Sequence, residues 1–385
     1  MPPAGRWRAS AVALSLSAAL ALSACGSSSS NSSGANSSST GAQSASATGT
    51  TQSGTSTGSA PAASAHALSS AVNGHGAKIA FITAALDNTA NAAAVKTAEV
   101  QATKDNVTLT TYDGKFSPTT QVQQCQDAAS SGDYKAIVLA PAAGPPLVPC
   151  ALAAKAAHLP LVLWAGAIGT DQSHLETQQE GVTSQVLEPV TAMEAPLAQQ
   201  MVEACKGIDP CNVVVMDVAQ ELPSLDAIFQ SGINSAVSAN HNIKVLMRID
   251  GGVDEGSGQT AMEDILAKNP KFNVLVSDGA QGQEGAMTTL SNQHVSLGSG
   301  AGQLKIIAAG GTAQQINWIR QGKMWGTVIF PFGTMGSASV NLAVMAIEGK
   351  TVPKGVSPNA LANMPIAFDA LNKDQYPKLE GQWPY

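Results

Sequence analysis

The residues whose types and positions suit small-molecule recognition are Asn88, Asn91, Trp164, Asp217, Ser277, Asp278 and Phe330. Each stands at or just past the end of a short apolar run. Their chemistry is that of holding rather than of reacting: amides, carboxylates and a hydroxyl for hydrogen bonds, and two aromatic faces for packing. Asn88 and Asn91 follow the run Lys78–Thr83, at the carboxyl end of a strand, where open α/β sheets bind their ligands. Each residue also has a plain structural use. Asn88 and Asp278 suit helix caps, Trp164 suits packing within a lobe, and Phe330 suits a hinge.

Catalytic constellations do not emerge. There is no G-x-S-x-G and no H-E-x-x-H, and Val344 stands where a phosphate loop ending in Gly349-Lys350-Thr351 requires glycine. The histidines, His66, His75, His158, His174, His241 and His294, are scattered over linker, helix ends and loops. The sequence therefore predicts no enzyme, no cofactor and no metal.

The elements that position these residues alternate strand and helix. The predicted strands are Lys78–Thr83, Val107–Tyr112, Lys135–Ala140 and Leu161–Trp164, with helices Ala92–Ala102, Pro118–Ser130 and one ending at Ala157 between them. The rhythm breaks over Ala165–Glu180. It resumes with helix Leu187–Cys205, strand Asn212–Asp217, helix Ser224–Ser238, strand Ile243–Asp250 and helix Gln259–Lys268. Strand Phe272–Ser277, helix Gly282–Asn292, strand Leu304–Ala309, helix Thr312–Gln321, strand Gly326–Phe330 and helix Thr334–Ile347 complete the series. Alternation of this kind implies parallel sheets covered by helices on both faces. The fold class is thus α/β, with two Rossmann-like lobes.

Ahead of the lobes, Arg6 and Arg8 precede an uncharged apolar run from Ala11 to Leu22, too short to span a membrane and followed by Leu22-Ser23-Ala24-Cys25-Gly26. This reads as an export signal over residues 1–24. Its ending resembles the bacterial lipobox, which implies that Cys25 is diacylated and holds the protein to a membrane. Residues 25–76 are Ser, Gly, Ala, Thr and Asn with almost no large apolar side chain, a linker composition. Without the two leader arginines the chain carries 18 Lys and Arg against 27 Asp and Glu, a formal charge of −9, which argues against nucleic acid. Four cysteines remain, and an even number in an exported chain favours disulfides. The expected pairs are Cys205–Cys211, closing a helix onto the next strand, and Cys125–Cys150, on successive helices flanking one strand. A zinc site is the rival reading, but the spacings contain no C-x-x-C and no neighbouring His.

The segments KIAFITAALDN, KAIVLAPAA, LPLVLW, FNVLVSDGAQGQEGAM and LKIIAAGG, in this order from about Ala77 to about Asp369, resemble the type I periplasmic solute-binding proteins of the ribose- and galactose-binding group. The resemblance implies two lobes joined by a three-crossing hinge that closes on one ligand. It also implies a monomer acting with an ABC permease and its ATPase. Residues 77–183 with 331–353 form one expected lobe, and 184–330 with 354–385 the other. The expected protein is a lipid-anchored, extracytoplasmic solute receptor with sugar as the family's usual ligand. A ligand-sensing co-receptor for a membrane signalling protein is the alternative.

Departures from the family pattern fall on its sugar contacts. Thr89, Ala90 and Asn91 follow Asn88 where ring-stacking Phe residues are expected. Ala165 and Gly166 replace an Asp-Arg pair, Gly310 replaces an Asp, and Ser224, Leu225, Asp226 and Ala227 occupy the helix that should supply an Arg. A less hydroxylated ligand therefore competes with sugar.

Overall fold

The computed structural model describes residues 71–384 and Leu68, apart from Asn269. The leader, Cys25 and residues 25–67 lie outside the described residues. Segment 71–76, a linker by composition, is tied to the folded body: Gly74 N donates to Asp105 O (2.7 Å), Gly76 N to Asn106 O (2.8 Å), and Asn73 N to Glu348 Oε1 (2.9 Å). Backbone pairing of this kind leaves no trace in composition, so the folded body begins several residues before Ala77.

The first sheet has strands β1 (Ala77–Thr83), β2 (Val107–Asp113), β3 (Ala136–Leu139), β4 (Leu161–Trp164) and β5 (Ser184–Val186), all parallel in the order β2-β1-β3-β4-β5. Helices α1 (Thr89–Lys104), α2 (Pro118–Ser131) and α3 (Val148–Ala156) connect them, with a single 3-10 turn at Pro145–Leu147. Because side chains alternate along a strand, the sheet faces two separate cores. Ile79, Phe81, Val138, Val162 and Trp164 face α1, whereas Ala80, Ile82, Ile137, Leu139, Leu161 and Leu163 face the other side with Cys125 and Cys150. Helix α2 starts cleanly because Ser117 Oγ accepts from Thr120 N and Pro118 needs no donor, and it stops at Gly132 in the left-handed conformation (φ 75°).

The second sheet contains β6 (Cys211–Asp217), β7 (Ile243–Asp250), β8 (Val274–Ser277), β9 (Lys305–Gly310), β10 (Gly326–Ile329) and β11 (Ala367–Asp369), in the order β11-β10-β9-β8-β6-β7. Only β11 is antiparallel, pairing with β10. Its helices are α4 (Val190–Ala204), α5 (Pro223–Ala239), α6 (Glu255–Ala267), α7 (Ala280–Asn292) and α8 (Ala313–Arg320). The contact between α6 and α7 is so close that a Cβ on Gly258 would lie 2.0 Å from Gly282 O, and one on Gly282 would lie 1.9 Å from Gly251 O. Helix α9 (Phe332–Ile347) returns to the first sheet, and α10 (Pro358–Ala362) precedes β11.

The chain passes between the sheets three times: after Val186, at Phe330–Pro331, and between Val356 and Ala367. Ser184–Val186 pairs with β4, and Val356 bridges Val186, so both segments belong with the first sheet rather than beyond positions 183 and 353. Disulfides join Cys125 to Cys150 and Cys205 to Cys211, with Cα separations of 5.3 and 5.5 Å. No described helix is long and apolar enough to cross a membrane.

Candidate functional site

The carboxyl ends of both sheets converge on one cavity of about 200 Å³. Asn88, Asn91, Asp278 and Phe330 line it. Its remaining wall is mostly Ala, Gly, Val, Leu and Ile, with Phe116, Gln172, Glu188, Gln281, Phe332 and Trp383 as the other polar or aromatic side chains.

Asn88 caps α1. Its Oδ1 accepts from Ala90 N (3.1 Å), Asn91 N (3.2 Å) and Asn91 Nδ2 (3.1 Å), which satisfies the free N–H groups of the helix start. Asn91 Oδ1 in turn accepts from Thr83 Oγ1 (2.9 Å), so Asn91 is occupied at both ends. Asn88 Nδ2 remains free to face the cavity.

Asp278 begins the turn into α7 and is 4% exposed. Its Oδ2 accepts from Gln230 Nε2 (3.2 Å), while its Oδ1 is buried without a partner among the described residues. Burial, and then the neighbouring Asp226 carboxyl, push its pKa well above the usual carboxylate range. Glu188, in the first crossing, accepts from Ser357 Oγ and from Asn359 N (3.3 Å), both in the third crossing. Burial raises its pKa as well. Asn359 Nδ2 donates to Ile329 O and Pro365 O (both 3.1 Å), so Glu188 and Asn359 knit all three crossings together. Neither residue stood out in the sequence, because hinge contacts pair positions about 170 apart.

Trp164, Asp217 and Ser277 are not in the cavity wall. Trp164 is fully buried, stacked on Phe81 (ring centroids 5.8 Å, 28°) and edge-on to Phe332 (6.4 Å, 87°). As the last residue of β4 it alternates in phase with Val162, which turns it into the core against α1 and α9 rather than upward. Ser277 Oγ donates to Gly279 O (2.8 Å) and so folds the turn after β8. Asp217 lies behind the wall, its carboxyl raised to about 6 by burial and by Asp226. The aromatic side chains of the wall are instead Phe116, Phe330, Phe332 and Trp383. Phe330 and Phe332 stack at 5.9 Å, and Trp383 meets Phe332 edge-on at 5.2 Å. A lone Trp two residues from the last position carries no periodic signal that would place it here.

The two sheets' helices touch across the cavity. Gln281 Nε2 of α7 donates to Thr89 Oγ1 of α1 (3.3 Å), and Ala90, Ala280 and Trp383 form a small buried apolar cluster. The C-terminal segment reaches both sides: Ala313 N donates to Trp383 O (3.1 Å), and Gln382 exchanges hydrogen bonds with Thr334 through Oε1 (2.7 Å) and Nε2 (2.8 Å). Among the described residues no group of three or more His, Cys, Asp or Glu is placed to hold a metal ion.

A family model described as a periplasmic binding protein domain matches residues 79–351. Among solved structures, an ABC transporter solute-binding protein from Mycobacterium smegmatis with bound glycerol is 19% identical, with a TM-score of 0.66 over 80% of this chain and 99% of that one. A Mycobacterium smegmatis protein in complex with β-D-fucofuranose is 18% identical (TM-score 0.67; 78% and 94% covered). The arabinose ABC transporter's periplasmic binding component from a Shewanella species, bound to L-arabinofuranose, is 15% identical (TM-score 0.65; 78% and 95% covered). At these identities the likeness is one of fold. No curated protein matches the sequence significantly.

Proposed function

Because the chain belongs to the periplasmic binding protein domain family, whose members bind solutes rather than catalyse reactions, we propose that it is the extracytoplasmic receptor of an ABC importer. It captures a small molecule between residues 71–186 with 331–356 on one side and residues 190–329 with 365–384 on the other. The observation that carries this reading is the cavity at the carboxyl ends of two sheets, bridged by three interlocked crossings. A hinge of this construction lets a ligand favour closure through contacts made to both sides at once.

In the full chain, diacylated Cys25 tethers the receptor to the membrane, residues 26–70 act as a leash, and an ABC permease with its ATPase receives the solute. The solved relatives were bound to glycerol, fucofuranose or arabinofuranose, and sugar is the first class to test. Thermal-shift screening against sugars, nucleosides, amino acids, amines and aromatic acids should find a compound that raises the melting temperature by several degrees. If none does while the purified permease stabilises the protein, solute capture is the wrong function. Replacing Cys25 by Ser should release the mature chain from the membrane fraction.

A further inference from the structure

Among the cavity-lining residues there is no Lys, Arg, His, Ser, Thr or Tyr. The two ionisable side chains present, Glu188 and Asp278, are both acids. An anionic ligand would find no partner for its charge. Gln172 Nε2 is bound to Ala167 O (3.0 Å), Gln281 Nε2 to Thr89 Oγ1, and Trp383 Nε1 to Gly310 O (3.3 Å). Three acceptors have no partner among the described residues: Asp278 Oδ1, which is buried, the second oxygen of Glu188, and Gln281 Oε1.

On the reading that this cleft captures a solute, we propose that its ligand is a compact ammonium compound, an N–H-bearing cation on an apolar body. Its N–H groups meet the carboxylates of Asp278 and Glu188, and its body lies against Phe330, Phe332 and Trp383, whose ring faces favour positive charge. Asp278 is more than nine-tenths buried with one oxygen unsatisfied, a cost that an arriving donor removes. The groups facing Asp278 are Asp226 and Gln230 from α5, Asp217 from β6 and Arg248 from β7. Burial and the two neighbouring acids raise its pKa, and an entering RNH3+ supplies the opposite charge that stabilises its ionised form.

The test is titration calorimetry and thermal shift on the folded protein with 2-phenylethylamine and cyclohexylamine, beside 2-phenylethanol and phenylacetate, which share a body but not the head group. The amines should bind at least about tenfold more tightly than the alcohol or the acid. Asp278→Asn should abolish the preference for amine over alcohol. If that variant does not fold, Glu188→Gln should weaken amine binding while leaving alcohol binding unchanged. Equal binding of amine and alcohol, or preference for phenylacetate, overturns the ammonium assignment. D-Galactose or L-arabinose binding while the amines do not overturns it too, but leaves solute capture standing. Silence from every class of compound overturns both.

Discussion

The first lobe meets the cavity with turns whose polar atoms serve the chain itself, whereas the second meets it with one buried acid, Asp278, and keeps further buried acids behind the wall. In the first, Asn88 and Asn91 are joined to each other and to the start of α1, and Ala84, Ala140, Ala142, Ala165 and Gly166 present almost no side chain. In the second, Asp278, Asp217 and Glu284 all have pKa values raised by burial. The first lobe thus supplies shape and the second supplies charge. In the second, α6 also packs tightly on α7.

The comparison breaks most visibly if that packing is loosened. Gly282→Ala drives a methyl onto Gly251 O, which cannot retreat because the neighbouring Gly252 O already accepts from Gly282 N (3.0 Å). Urea unfolding should show a loss of more than about 3 kcal/mol. An unchanged midpoint would mean that the turn at Gly251 yields to the added methyl.

Next come the disulfides, one per lobe. Cys125–Cys150 closes a separation of 25 residues and Cys205–Cys211 one of 6. Loop-closure entropy assigns about 3.5 kcal/mol to the first and about 2 kcal/mol to the second. Paired Cys→Ser variants should therefore lower stability in that order. The reverse order would show that native packing, rather than the unfolded chain, sets the cost.

The pH profiles should differ in sign. Glu284, whose carboxyl is raised to about 8 by burial despite the hydrogen bond from Thr312 Oγ1, keeps its proton in the folded state where the unfolded chain releases it. Its contribution makes stability fall as pH rises from about 4.5 to 8. Asp217 acts in the same direction between about 4 and 6. Asp171 in the first lobe, lowered to about 2 by hydrogen bonds from Ser173, acts in the opposite direction, adding stability as pH rises from about 2 to 4. Glu284→Gln should flatten the neutral-pH decline in thermal unfolding; if the slope persists, Glu284 is not its source.

The smallest effect concerns closure itself. Thr89→Val removes the acceptor for Gln281 Nε2, a single long hydrogen bond between the lobes worth about 0.5 kcal/mol. Small-angle scattering should show a slightly larger radius of gyration. A large expansion would mean that this contact governs closure.

Much of the fold was legible in local patterns: β4, buried on both faces, reads as an apolar run, β7 at the sheet edge reads as an alternating one, and the pairing of cysteines followed from the elements they flank. Helix α1 begins three residues before the predicted Ala92, because Asn88 caps it. Less legible were features made by contacts distant in sequence, such as β11, three residues long and antiparallel to β10. In the cavity, the turn positions Asn88, Asn91 and Asp278 were readable from the strand-to-helix grammar, and Phe330 from the end of its strand. Trp164 was misplaced because periodicity tells which face a strand residue takes only once the neighbouring strand's phase is known. Glu188 and Asn359 owe their roles to each other, and no local pattern links them.

The C-terminal segment has a practical consequence. Trp383 forms cavity wall and Gln382 grips the start of α9, so the last few residues act as a seam sewn across both halves of the molecule. An affinity tag fused at Tyr385 would follow the wall residue Trp383 by two positions, and trimming the chain at Gly381 would remove an aromatic wall along with a tail.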